Sequence, residues 1–290
     1  MYVCPTCKVD LAGGVCPGCS FKTDLAEEIP SFFSCSEIAN RYRDIARFYD
    51  DLYGSRPNAW GELVGRDAAF IAYVSSLVNS MNPARYLDIG CGQGFLLSAV
   101  SAPEKFGIDI SRKAAEQARL RATAKVCQGI VEELPFPPSY FDVVTGIGVM
   151  EHFIDIRRAT VEISRVLREG GSYLVWLFLE PPLFEKVMIR ASQFIYPEFR
   201  PLGFCRWTLD KCGRMIRGRT DDYASHDPIR QPVLNRHTLL GMKRLFRLGG
   251  FRVKSLITKR RMPDAPLQGH NYRIYVLEKA VNSGSLLQSS

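Results

Sequence analysis

One short run near the middle of the chain restricts its fold more than any other. Tyr86-Leu87-Asp88-Ile89 is an apolar stretch with a single acid, and Gly90-Cys91-Gly92-Gln93-Gly94 follows it directly. Phe95–Val100 then reads as an apolar helix start. Strand, glycine turn and helix in that order open a nucleotide-binding βαβ unit. The glycines let backbone approach a ligand closely and adopt dihedrals closed to other residues. A second strand, Lys105-Phe106-Gly107-Ile108-Asp109, ends in an acid 21 residues after Asp88. That is where a carboxylate accepting hydrogen bonds from both ribose hydroxyls is expected. The turn, D-I-G-C-G-Q-G, lacks the spacing and the helix-end glycine of a dinucleotide-binding turn.

These residues resemble a known family once the rest of the chain is read with them. YLDIGCGQGF and FGIDIS are followed by GIVEELPFPPSYFDVVTGIGVMEHF (Gly129–Phe153) and EISRVLREGGSYLVWLF (Glu162–Phe178). Together they are similar to the motifs of class I S-adenosylmethionine (SAM)-dependent methyltransferases. The nearest likeness is to the small-molecule branch that includes the ubiquinone/menaquinone-biosynthesis methyltransferases. The resemblance covers about residues 40–180 and a closing segment near 238–278. It implies an α/β fold, a Rossmann-like seven-stranded sheet with helices on both faces, and SAM as cofactor. By the same resemblance Gly90, Gly92 and Gly94 would line the methionine part, and Asp88 would sit near its amino group. Asp109 would hold the ribose, Ile110 would pack on adenine, and Val131 would offer its backbone N–H to that ring. The position before Val131, often Asp in the family, is Ile130 here, which leaves Glu132 as a substitute acid. Phe48–Gly54 (FYDDLYG) resembles the family's N-terminal helix, making Tyr49 and Tyr53 pocket candidates. Ile38, Tyr42, Ile45, Tyr49 and Leu52 recur at helical spacing, as do Phe70, Ile71, Val74 and Leu77, and read chiefly as core-facing stripes.

The N-terminus carries a different signal. Cys4, Cys7, Cys16 and Cys19 form two CxxC knuckles eight residues apart, each able to aim two thiolates at one tetrahedral point. Structural Zn²⁺ is the expected occupant, with iron the alternative for a four-thiolate site. Two disulfides or a redox pair are the competing readings. The opening MYVCPTC has no basic n-region and no apolar h-region, which argues against disulfides and leads to an expected cytoplasmic location. So short a segment cannot bury its own core, and metal binding would supply its folding energy. Through EEIPSFF (Glu27–Phe33) it resembles the short zinc ribbons found on many bacterial methyltransferases and an activator subunit of RNA methyltransferases. The expected organisation is a ribbon over 1–34, a methyltransferase domain over 35–280 and a disordered tail over 281–290.

Composition adds one asymmetry. The chain carries a formal charge of +8, yet Glu185–Met262 holds 18 Lys/Arg against 6 Asp/Glu while the remainder holds 20 against 24. Apolar runs such as Tyr173–Leu179 fall far short of the roughly 20 residues of a membrane span. The basic stretch includes a 181–236 insertion after the fifth strand, expected to cover the acceptor site. Arg200, Arg206, Arg214, Arg217 and Arg219 lie within it and suit a phosphate or carboxylate on the acceptor. Candidate general bases are His152 at the fourth strand's end, His226 in the insertion, and His237 before the last helix. Aspartate-Pro-Pro-Tyr-type signatures for nucleobase amino groups are absent after the fourth strand.

The leading expectation is methyl transfer to oxygen or nitrogen of a small or lipid-linked, anionic metabolite. An RNA methyltransferase gripping phosphates through ribbon and insertion is the alternative. A non-catalytic SAM-fold partner protein is the third reading, and contact with an anionic membrane surface is a further use of the basic stretch.

Overall fold

The computed structural model describes residues 2–34, 36–55, 68–179, 232, 233, 235, 237–258 and 272–281. Its centre is a seven-stranded sheet of order β3-β2-β1-β4-β5-β7-β6. The strands are β1 (Arg85–Ile89), β2 (Glu104–Asp109), β3 (Lys125–Gln128), β4 (Phe141–Ile147), β5 (Leu167–Phe178), β6 (Phe251–Thr258) and β7 (Tyr272–Lys279). β1 to β5 pair in parallel, and β7 runs antiparallel to both β5 and β6. The helices are α1 (Glu37–Ser55), α2 (Ala68–Asn79), α3 (Phe95–Ala99), α4 (Arg112–Arg121), α5 (Ile156–Val166) and α6 (Leu239–Leu248).

Strands buried on both faces alternate between two cores rather than between core and water. Tyr86 packs with Val74, Leu97 and Ala118 beneath α2, α3 and α4. Its neighbour Leu87 packs with Ile163, Met242 and Phe246 beneath α5 and α6. Helices thus cover both faces, as the motifs implied. β5 begins at Leu167, ahead of the apolar run at Tyr173, because Gly170 takes a left-handed φ of 68° within an irregular stretch between the Phe141↔Leu167 and Val143↔Ser172 pairings.

The cysteine segment packs against this sheet. Cys4, Cys16, Phe21 and Phe32 share a core with Phe106 and Phe136. The chain after the knuckles runs parallel to β3, with Phe32 N donating to Gln128 O at 2.8 Å and Gln128 N to Pro30 O at 3.0 Å. Lys8 Nζ donates to Leu134 O and to the carboxylate of Glu162. No described helix is long and apolar enough to cross a membrane. Of the 181–236 insertion only 232, 233 and 235 are described, so Arg200, Arg206, Arg214, Arg217, Arg219 and His226 lie outside the described residues, as does the tail from 282.

Candidate functional site

The carboxyl ends of β1, β2 and β4 bring the expected residues together. Asp88 and Asp109 are both buried, at 3% and 6% exposure. Asp88 Oδ1 accepts from Thr145 Oγ1 at 2.6 Å, and that hydroxyl also meets Tyr86 OH at 2.6 Å. Burial raises the Asp88 pKa to about 7, opposed by the Thr145 hydrogen bond and reinforced by the charge of Asp109. Burial likewise raises Asp109 to about 6, opposed by backbone donors. Those donors are Gly92 N at 2.8 Å to Oδ2 and Ser111 N at 2.9 Å to Oδ1. Asp109 therefore ties the glycine turn to the second loop while keeping lone pairs for a ligand.

The glycines divide the work between them. A Cβ on Gly94 (φ 77°) would lie 2.8 Å from Ala118 Cα, and one on Gly90 would lie 2.4 Å from Val149 Cγ2. These two serve packing within the chain. Gly92 (φ 51°) is different, since a Cβ there would meet only Tyr53 OH, at 3.3 Å. It is the glycine of this turn that faces α1, through Tyr53.

α1 is fastened to the rest of the chain at three points. Tyr42 OH donates to Glu132 Oε1 at 2.6 Å and accepts from Ile154 N at 2.7 Å. Asp50 Oδ1 accepts from Ser111 Oγ at 2.6 Å and Lys113 N at 3.0 Å, at the start of α4. Gln117 Nε2 donates to Tyr53 O at 3.3 Å. Tyr49 is buried edge-on against Phe48 and packs with Leu52, Tyr53 and Ala114. Ile110 is half-buried beside Ile45, and Val131 opens a 3₁₀ turn, Val131–Glu133. Glu132 is buried with its pKa raised by desolvation, and Oε1 also accepts from Asp155 N at 3.0 Å. One of its oxygens is thereby committed to fastening α1. Asp50, Tyr42 and Thr145 escaped sequence reasoning as site residues, because each finds its partner through a contact that no local spacing encodes.

A second 3₁₀ turn, Met150–His152, follows β4 and carries one of the candidate bases. His152 is half-buried, and its Nδ1 lies 2.7 Å from Val233 O. A carbonyl only accepts, so Nδ1 carries the proton and Nε2 keeps its lone pair in the neutral ring. Asn235 secures the same turn, its N donating to Glu151 O and its Nδ2 to Phe153 O, both at 2.6 Å. His237 pairs with Leu179 at the end of β5. Burial lowers its pKa, and Nε2 has no hydrogen-bond partner among the described residues. Glu151 has a buried carboxyl whose pKa burial raises. The structure thus brings His152 and His237 together beyond the ends of β4 and β5.

At the N-terminus the four sulfurs of Cys4, Cys7, Cys16 and Cys19 lie within 4.8 Å of one another. Cys4 Sγ and Cys19 Sγ are 3.6 Å apart, far beyond the roughly 2.05 Å of a disulfide. Cys7 N and Gly18 N donate to Cys4 and Cys16 sulfurs at 3.4 and 3.3 Å, an arrangement that favours thiolates. Four thiolates at these separations fit one tetrahedral Zn²⁺ with Zn–S bonds of about 2.3 Å.

Known proteins agree with this architecture. The methyltransferase-domain family model matches residues 87–175. An uncharacterized methyltransferase, YcgJ of Bacillus subtilis (strain 168), is 37% identical over 99 residues, which are 31% of this chain and 39% of that protein. The demethylmenaquinone methyltransferase of Symbiobacterium thermophilum is 32% identical over 178 residues, 57% of this chain and 67% of that protein. Among solved structures, a SAM-dependent methyltransferase of Thermotoga maritima superposes with a TM-score of 0.56 at 16% identity, over 82% of this chain and 100% of that one. The first of these relatives is spanned for well under half its length, the second for two thirds. With identity at that level over that much of a relative, on a sheet of matching fold, the chain belongs to the class I SAM-dependent methyltransferases.

Proposed function

We propose that this chain transfers the methyl group of SAM to an oxygen or nitrogen of a small or lipid-linked acceptor bearing a phosphate or carboxylate. The observation that carries the reading is the pair of buried carboxylates, Asp88 and Asp109, at the carboxyl ends of the glycine turn's strand pair, with left-handed Gly92 bonded to Asp109. Both acids sit where ionisation is costly without a cation or donor nearby, and SAM offers an ammonium group and ribose hydroxyls. Bound SAM supplies an electrophilic methyl carbon on a sulfonium. The protein's own task is positioning: the glycine turn and the two acids hold the donor, while α1 shields the site from water. His152 is proposed as general base. Its Nδ1–H is held by Val233 O, and its Nε2 lone pair takes the proton that the acceptor O–H or N–H loses as its lone pair attacks. His237 and His226 are the secondary candidates, the first disfavoured by burial. Ile110, Val131 and Tyr49 are proposed to contact the adenosine side, and the ribbon cysteines to hold a structural zinc. The anionic acceptor is supported by the excess of Arg between Glu185 and Met262.

Incubation of the protein with methyl-labelled SAM and separated cell extracts tests the reading. Label should enter a small-molecule or lipid fraction, and His152→Gln should slow that incorporation about 10²–10⁴-fold while leaving SAM affinity unchanged. Label appearing only in RNA would replace this reading with the RNA methyltransferase alternative.

A further inference from the structure

The sequence 239–258, which forms α6 and β6, contains five Lys/Arg and no Asp or Glu. Arg252 and Lys254 share Glu278 on the neighbouring strand. Lys243, Arg244 and Arg247 on α6 have no ion pair among the described residues. The helix buries Met242, Leu245 and Phe246 against the sheet, which turns Leu240, Arg244 and Arg247 outward on the opposite face. Leu240 is 59% exposed and Leu248 51%, and Leu239, Val253 and Leu256 are exposed beside them. Single exposed leucines are ordinary. Here they concentrate on one helix and the adjoining strand, and on the helix they are interleaved with cations that have no ion pair among the described residues.

Most surface helices of soluble proteins mix both charge signs, so an all-basic outer face studded with leucine calls for an anionic and partly apolar partner. Phosphates of a nucleic acid would satisfy the cations but leave Leu240 and Leu248 without a favourable contact. An anionic bilayer satisfies both, with headgroups meeting Lys243, Arg244 and Arg247 and the acyl boundary taking the leucines. Position agrees with chemistry. Leu239 and Leu240 follow His237 and Thr238 directly, and His237 pairs with Leu179 at the carboxyl end of β5. The face therefore begins at the end of the sheet where His152 and His237 stand.

We propose that the outer face of α6, with the exposed side of β6, is a docking surface for an anionic lipid bilayer, and that docking brings the acceptor side of the site to the membrane. The surface is independent of the acceptor's identity, and its test needs no turnover. The full-length protein is sedimented with vesicles of phosphatidylcholine alone and of equal parts phosphatidylcholine and phosphatidylglycerol, at low and high salt. Binding is expected to the mixed vesicles only, and to weaken at high salt. Lys243→Glu combined with Arg247→Glu should reduce partitioning at least about tenfold, as each cation near an anionic surface contributes about fivefold. Leu240→Ser combined with Leu248→Ser, which leaves the charge unchanged, should also reduce it about tenfold or more. Retained SAM affinity in both variants shows that they are folded. The proposal is overturned by no binding to mixed vesicles at low salt. Full binding by either double variant also overturns it, as does binding to single-stranded RNA that is insensitive to the leucine pair while vesicles are ignored.

Discussion

Asp88 and Asp109 carry the most informative chemistry because their surroundings and their ligand pull in opposite directions. Burial raises their pKa values to about 7 and about 6, above the roughly 3.9 of an unfolded aspartate. A raised folded-state value means that folding favours the protonated acid. The stability it gives is complete below about pH 4 and is lost as pH climbs through 6 and 7. SAM is cationic and favours the ionised acids, so its binding should reverse part of that loss. The rise in melting temperature produced by saturating SAM is therefore expected to grow between pH 5.5 and pH 7.5. Thermal scans across that range check it, and a rise independent of pH would separate these two acids from the cofactor. Gly92 belongs to the same account, since its N–H donates to Asp109 and a Cβ there would meet only the Tyr53 hydroxyl, at 3.3 Å.

Two elements act as covers, and each has its own fastening. α1 is held by Tyr42 and Asp50 against two separate loops. Tyr42→Phe removes a donor to buried Glu132 and an acceptor for Ile154 N, and should cost about 1–3 kcal/mol of stability. Denaturant unfolding measures that directly, and a loss within error would mean that α1 is held by packing alone. The cysteine segment touches the same region from outside, through Val3 N to Pro135 O, Ser34 Oγ to Glu133, and Lys8 to Leu134 O. A zinc ion held by the four cysteines is therefore expected to stabilise the turn from which Val131 and Glu132 project. The purified protein is expected to contain one zinc per chain, and Cys16→Ser to lose it together with several degrees of melting temperature. Elemental analysis beside a thermal scan reads both, and full metal content in that variant would remove the zinc assignment.

At the scale of the whole molecule, the features legible in the sequence are those with a local cause. The glycine turn between Asp88 and Phe95, the acid closing β2 and the double knuckle each follow from neighbours in the chain. What the sequence concealed depends on distant pairs. Asp50 meets Ser111, Tyr42 meets Glu132, and Val233 and Asn235 return to grip the turn that carries His152. Nothing in the spacing of those residues marks them as partners, because only the closed sheet brings them together. The central claim, that this sheet edge binds SAM through Asp109 and its neighbours, is tested most directly by calorimetric titration. One SAM site per chain is predicted, weakened by about 1.5–3 kcal/mol in Asp109→Ala, a factor of about 10 to 150 in Kd. Absence of SAM binding in the unaltered protein, or equal affinity in the Asp109→Ala variant, would contradict it.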